Sequence, residues 1–208
     1  MQNLPLLIKN PLLLNNPKLF VSECCFNSLA IKLTASSINL NIYEEKVVGE
    51  TELKLVDSRF ILVNTQTILS YLVDKYAPNN SIYPKDLYKR AMINQILFFD
   101  NGTLGNKIQT ILHQKISEEN VHSLEESYKT IEQLLVETEY ISGEHLTIAD
   151  FCIVSSLIVA FILAPPNFQN YPKTEAWFKK IKSHPACVKH QGDIDNIEKC
   201  LKERKNSE

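Results

Sequence analysis

The chain has 208 residues, 44% hydrophobic and 22% charged, which is typical of one or two globular domains. Its 22 Lys and Arg against 24 Asp and Glu give a net charge of -2, so charge offers no case for binding nucleic acid or an anionic membrane. Its five glycines form no Gly-x-Gly-x-x-Gly or Walker pattern, which argues against a glycine-rich phosphate loop.

The first part of the chain mixes strand and helix patterns. We interpret residues 1–17 as a leader and residues 18–77 as an α/β domain. The order β-α-β-β-β-α follows from alternating and helical apolar spacings separated by turn residues. The predicted elements are a strand at 18–21, a helix at 25–37, strands at 39–48, 53–55 and 60–63, and a helix at 65–76.

The second part of the chain has helical periodicity throughout. A linker at 78–86, rich in Pro and Asn, precedes a predicted all-helical domain at 87–208. The segment 148–163 is hydrophobic nearly all round, which indicates a buried central helix. The predicted helices are 88–114, 118–138, 148–163, 174–183 and 193–203.

The cysteines indicate neither a zinc site nor a disulfide framework. They form no Cys-x-x-Cys pair, and we find no convincing secretory signal, so we expect reduced thiols, no metal and a cytoplasmic location. The longest apolar stretch, 151–164, is too short to span a bilayer. The five are Cys24, Cys25, Cys152, Cys187 and Cys200.

A capping box is predicted at the start of the buried helix. Thr147 is followed three residues later by Asp150, so each side chain can bond the other residue's backbone N–H. A buried helix start needs such a cap because water cannot reach its free N–H groups. We therefore assign Thr147 and Asp150 a structural role.

Several motifs resemble those of cytosolic glutathione transferases. The octapeptide at 143–150 looks like the capping motif in the second domain of that family, and the segment 83–104 is similar to the insect delta and epsilon classes. The resemblance implies a thioredoxin-like first domain, a helical second domain and usually a homodimer. It also implies glutathione as cosubstrate and a small hydrophobic electrophile as acceptor.

Cys25 stands where the delta and epsilon classes place the serine that hydrogen-bonds the glutathione thiolate. A thiol at a helix N-terminus has its thiolate stabilised by the helix dipole, so Cys25 could be reactive and form a mixed disulfide with glutathione. The alternative is that Cys25 is a small buried residue without chemistry. Both interpretations stay open at this point.

The other glutathione-binding positions also depart from the family. The short segment 40–53 predicts that the family's second helix is missing. Leu53, after Glu52, replaces a proline whose cis bond shapes the backbone clamp, and Glu52-Leu53 is expected to be trans. Asn64 and Thr65, followed by Gln66, replace the acidic residue and serine that hold the γ-glutamyl group. Asn64 lacks the charge for the glutathione amine but can cap the next helix.

Two functions remain compatible with these residues. In the first, the protein conjugates glutathione to a hydrophobic electrophile held against Phe98, Asn101 and Gly105 of the long helix. In the second, it is a non-catalytic relative that keeps the fold as a ligand-binding or scaffold protein. The family resemblance favours the first function, and the three departures favour the second.

Overall fold

The computed structural model describes residues 16–22, 25–47, 53–114 and 117–207. Four predictions fall wholly or partly outside these ranges: nearly all of the leader at 1–17, the thiol Cys24, Glu52 before the replaced proline, and the missing helix between 47 and 53.

The N-terminal part is a four-stranded mixed sheet with helices. The strand order is β2-β1-β3-β4; β1 and β2 are parallel, and the two other pairs are antiparallel. A crossover helix must join the parallel pair, and α1 fills that role. The elements are β1 (Lys18–Val21), α1 (Asn27–Ser37), β2 (Tyr43–Lys46), β3 (Lys54–Asp57), β4 (Phe60–Val63) and α2 (Thr65–Tyr76).

The C-terminal part is all helical. Its centre is α6, which is buried along almost its whole length, as its all-round apolar sequence predicts. Because α1 packs against both α2 and α6, the two parts share one hydrophobic core. The helices are α3 (Leu87–Phe99), α4 (Gly105–His113), α5 (Glu118–Leu134), α6 (Ile148–Leu163), α7 (Pro172–Lys182), α8 (Pro185–Lys189) and α9 (Gln191–Ser207).

This architecture confirms the predicted thioredoxin-like domain followed by a helical domain. Several predicted elements need correction. The helix predicted at 118–138 ends at Leu134, and the helix predicted at 193–203 covers Gln191–Ser207. The helix predicted at 88–114 is interrupted by a π-helical turn, Asp100–Leu104, and the strand predicted at 39–48 covers only Tyr43–Lys46. Between β2 and β3, the described residues Val47 and Leu53 are not helical.

An interdomain clamp holds the linker. The Arg90 guanidinium donates to both carboxylate oxygens of Asp74 on α2, at 2.8 and 3.1 Å. The same group donates to the carbonyl oxygen of Pro84 at 2.8 Å and lies 4.0 Å from the ring centroid of Tyr83. Planar, bidentate geometry of this kind fixes orientation as well as distance, so α3 is held in place against α2.

Candidate functional site

Cys25 lies between the end of β1 and the first turn of α1. The backbone N–H groups of Asn27 and Ser28 lie close to its sulfur, and the Ser28 N–H donates to the Cys25 carbonyl oxygen at 3.1 Å; Lys32 lies on the same side of the helix. These groups favour a thiolate, but burial outweighs them and raises the pKa of the Cys25 thiol. The direction of this shift favours the neutral S–H over the thiolate at the half-buried Cys25.

Cys25 lines a cavity of about 380 Å³ between α1, β2 and α9. Opposite charges are paired within it. Lys32 forms ion pairs with Glu44 and, at 2.9 Å, with Asp193. His190 contacts Asp193 at 2.7 Å, and this hydrogen bond, with Lys32, lowers the pKa of Asp193 to about 2.

Cys200 also lines this cavity, and it is disulfide-bonded. The prediction that all five cysteines are reduced is therefore wrong for Cys200. Cys25, Cys152 and Cys187 are free thiols. Burial raises the pKa of the Cys187 thiol to about 11, which makes it a poor nucleophile at neutral pH.

The N-terminus of α2 is the second part of the site. Asn64 caps it: its Oδ1 accepts from the Thr67 N–H at 3.2 Å, while its Nδ2 donates to Asn101 Oδ1 at 3.4 Å. The backbone of Asn64 has φ 78° and ψ 117°, and a positive φ is uncommon for any residue other than glycine. The N–H groups of Thr65 and Gln66 have no acceptor among the described residues, so this helix end can bind a carboxylate.

Behind this helix end lies a buried polar cluster that the sequence did not indicate. Gln66 Nε2 donates to Asp100 Oδ2 at 3.1 Å, and the Cys152 thiol donates to the same oxygen at 3.1 Å. The three residues come from α2, the π-helical turn and α6, and only the tertiary fold brings them together. Burial raises the pKa of the Asp100 carboxyl, and it raises that of Cys152 well above its ordinary value.

Sequence and structure comparisons identify the family. Residues 108–185 match the family model of the glutathione S-transferase C-terminal domain. The chain is 30% identical over 156 residues to glutathione S-transferase D6 of Drosophila melanogaster, and the match covers 72% of each protein. This chain belongs to the glutathione S-transferase family.

Solved glutathione S-transferase structures superpose on nearly the whole chain. An epsilon-class enzyme from the housefly, Musca domestica, is 26% identical, has a TM-score of 0.83, and matches 91% of this chain and 98% of its own. Glutathione transferase E6 of Drosophila melanogaster is 26% identical with a TM-score of 0.82, over 91% of this chain and 97% of its own. A homologue from Drosophila mojavensis, solved with bound glutathione, is 25% identical with a TM-score of 0.82 over the same shares of the two chains.

The residues predicted to hold the hydrophobic acceptor, and Leu53 of the predicted glutathione site, differ from one another in exposure and contacts. Phe98 is 76% exposed, and Asn101 contacts Asn64. Gly105 closes the π-helical turn, since its N–H donates to the carbonyl oxygen of Asp100, and a Cβ there would lie only 2.9 Å from that oxygen. Leu53 is 9% exposed and belongs to the hydrophobic core.

The capping box of the glutathione transferase second domain is fully formed at α6. Asp150 is fully buried and accepts from the Thr147 N–H at 2.8 Å, the Ile141 N–H at 2.9 Å and the Trp177 indole N–H at 2.9 Å. The Thr147 hydroxyl lies 3.1 Å from the same carboxylate. Asp150 therefore joins the helix start to the preceding loop and to α7.

The described part of the chain contains neither a membrane-spanning helix nor a metal-binding cluster. No helix there is long and apolar enough to cross a membrane. No group of three or more His, Cys, Asp or Glu side chains there is arranged to hold a metal ion.

Proposed function

We propose that this family member binds glutathione at the N-termini of α1 and α2 and conjugates it, through its sulfur, to a small hydrophobic electrophile. The unpartnered N–H groups of Thr65 and Gln66 would receive the γ-glutamyl carboxylate. Asn64 caps this helix end and offers no charge to the glutathione amine, so binding should be weaker than at an acidic residue there.

The position of Cys25, half-buried directly before α1 and lining a cavity, is the observation that carries the catalytic proposal, and burial raises the pKa of its thiol. A neutral S–H can donate a hydrogen bond to the glutathione sulfur, which favours the glutathione thiolate and lowers its pKa. A thiolate at Cys25 would instead repel it. The proton leaves glutathione for solvent, the glutathione sulfur forms a bond to the electrophilic carbon, and the leaving group departs with its electron pair.

The acceptor side of the proposed site is apolar. The exposed ring of Phe98 offers a surface for an aromatic or aliphatic electrophile, with Asn101 next to it on the π-helical turn. Such conjugation would serve detoxification in the cytoplasm. The identity of the electrophile depends on this surface, because glutathione itself is common to the whole family.

A second copy of the chain is the proposed partner. Leu87 and Tyr88 on α3 are 81% and 84% exposed, and Phe60 on the edge strand β4 is 63% exposed. Exposed apolar side chains on an edge strand and on a helix face are typical of subunit interfaces. We expect a homodimer by light scattering, and we expect Tyr88→Glu to shift it toward the monomer.

One observation favours the second candidate, a non-catalytic ligand-binding or scaffold protein. The cavity that Cys25 lines contains none of the residues at Leu53, Asn64, Thr65 or Phe98. If the thiol serves only this charged cavity, glutathione has no sulfur partner. The two functions therefore make opposite predictions for glutathione binding.

Calorimetric titration with glutathione, together with conjugation of an activated aryl chloride, separates these functions. We expect the unmodified protein to bind glutathione. The conjugation rate should rise about 3–10-fold in Cys25→Ser, because O–H is a stronger hydrogen-bond donor than S–H, and it should fall in Cys25→Ala. Cys187→Ala is the matched control, since it removes a thiol outside the site. Absence of glutathione binding in the unmodified protein and in Cys25→Ser would establish the non-catalytic alternative.

A further inference from the structure

Two buried oxygen atoms beside the proposed glutathione site have no hydrogen-bond donor in bonding geometry, although the Ser156 hydroxyl lies near the Asp100 carboxyl. They are Asp100 Oδ1 and Gln66 Oε1, and among the described residues neither has a partner. Native proteins rarely leave buried polar atoms unpaired, so each such atom requires a physical explanation. The two side chains already share one bond, from Gln66 Nε2 to Asp100 Oδ2 at 3.1 Å.

No cation faces the Asp100 carboxyl within the described part of the chain. Asp100 is 5% exposed, and the groups facing it are Gln66 from α2 and the thiol of Cys152 and hydroxyl of Ser156 from α6. Helices α3, α4 and α5 also pack against the π-helical turn and bring no charged group to the carboxyl. Among the described residues, Cys152 is the one titratable neighbour of Asp100, and its raised pKa keeps it as a neutral thiol. A buried carboxylate without a cation is strongly disfavoured.

A protonated carboxyl resolves both unpaired oxygens at once. A carboxylic acid and a primary amide can form a cyclic pair with one N–H···O bond and one O–H···O bond. The first bond is present here, and a proton on Asp100 Oδ1 would supply the donor that Gln66 Oε1 lacks. We propose that Asp100 is a neutral carboxylic acid in the folded protein and donates from Oδ1 to Oε1 of Gln66.

The acid–amide pair fixes the start of α2 against the helical domain. Gln66 is the second residue of α2, and its own N–H belongs to the helix end that receives the γ-glutamyl carboxylate in our proposed function, on which this step depends. Asp100 and Gln66 are thus positioning residues. Loss of the proton from Asp100 would set a carboxylate against the Gln66 carbonyl and disturb that helix end.

The protonation of Asp100 makes the stability of the fold depend on pH in a definite direction. Burial raises the pKa of Asp100 above its value in the unfolded chain. The folded state therefore binds the proton more tightly, and its stabilising effect is complete below the unfolded pKa and falls as pH rises toward the folded pKa. Asp100→Asn removes this dependence, because an amide can donate to Gln66 Oε1 at every pH.

Carbon-13 NMR of the side-chain carboxyl groups, with thermal melting of matched variants, tests the proposal without glutathione. We expect the Asp100 signal, assigned by its absence in Asp100→Asn, to titrate at a pH above the ordinary aspartate value of about 4. We expect Asp100→Asn to melt within about 2 °C of the unmodified protein or higher. Asp150→Asn is the matched control and should melt at least about 4 °C lower, because its amide would face N–H donors on both sides.

Three results would overturn the acid–amide pair. One is an Asp100 carboxyl that titrates near about 4, the ordinary value for aspartate. Another is a loss of melting temperature in Asp100→Asn as large as in Asp150→Asn. The third is a melting temperature that Na⁺, K⁺ or Ca²⁺ raises in the unmodified protein but not in Asp100→Asn, which would place a cation between the oxygens.

Calorimetry with glutathione then tests the positioning role. The affinity of the unmodified protein for glutathione should fall as pH rises through the titration of Asp100. In Asp100→Asn this fall in affinity should be absent. An identical pH profile in both proteins would overturn the positioning role. If no glutathione binds at any pH, the proposed function fails, while the NMR result still decides the state of Asp100.

Discussion

Replacing Asp150 with alanine should destabilise this protein far more than the loss of an ordinary helix cap. The carboxylate is fully buried and accepts hydrogen bonds from three N–H groups, on Thr147, Ile141 and Trp177. These donors belong to the start of α6, to the loop before it and to α7. Asp150→Ala removes the acceptor for all three and leaves a cavity in place of the carboxylate.

The magnitude follows from the burial of those donors. Thr147, Ile141 and Trp177 are 6%, 2% and 3% exposed, so solvent reaches none of them easily. A buried donor left without an acceptor costs about 1–3 kcal/mol, and three of them with partial relaxation cost about 3–6 kcal/mol. An ordinary N-cap loss costs only about 0.5–2 kcal/mol. We expect the melting temperature to fall by at least about 6 °C, given about 2–4 °C per kcal/mol at this chain length.

Calorimetric melting of Asp150→Ala and of a control variant measures this difference. The control is Asp86→Ala, because Asp86 caps α3 through one exposed bond to the Lys89 N–H at 2.9 Å. If Asp150→Ala loses no more stability than Asp86→Ala, the buried network contributes nothing beyond a single cap. The reasoning from unsatisfied donors would then be refuted.

Three further predictions concern other parts of the structure. Gly105→Ala should lower the free energy of unfolding by about 1–3 kcal/mol, because its Cβ would lie 2.9 Å from a backbone oxygen. Gly102→Ala is the control: its Cβ would meet open space, so its free energy of unfolding should rise by up to about 1 kcal/mol. Urea unfolding measures both. Burial alone would raise the pKa of Asp57, but the hydrogen bonds that it accepts from Lys75, Tyr76 and Tyr71 lower it overall. The stability that the Asp57 carboxylate contributes is therefore lost as pH falls through its folded pKa. The melting temperature of Asp57→Asn should decline less below about pH 4 than that of the unmodified protein, and an equal decline would contradict this. Cys25 should react with a small disulfide reagent before Cys152, because Cys152 is only 2% exposed. Its raised pKa should make the reaction of Cys25 slow at neutral pH and faster as pH rises. Mass spectrometry that places the first adduct on another residue would contradict this.

Local patterns predicted most of the fold. The all-round apolar run at 148–163 and the Thr147–Asp150 spacing indicated the buried helix and its start, and both are present. The π-helical turn at 100–104 was missed because its apolar spacing continues that of the flanking helices. A one-residue widening of a helix leaves no mark that a periodicity argument can detect.

The candidate site was harder to predict because its properties depend on the tertiary structure. The helix-start position of Cys25 was predicted, but the direction of its pKa shift depends on burial, which outweighs the two N–H groups at its sulfur. Asp100 and Cys152 lie 34 and 86 residues from Gln66 and meet it only in the folded chain. No spacing rule connects such distant positions.

The central claim, a glutathione thiol held by a neutral Cys25 donor, is tested most directly by the ultraviolet absorbance of bound glutathione during a pH titration. The thiolate absorbs and the thiol does not, so the difference spectrum with and without glutathione gives the pKa of the bound sulfur. We predict a pKa below about 8.5, the ordinary value for a cysteine thiol, a further decrease in Cys25→Ser and a return toward the ordinary value in Cys25→Ala. A bound sulfur that titrates at the same pH in all three proteins would contradict the account.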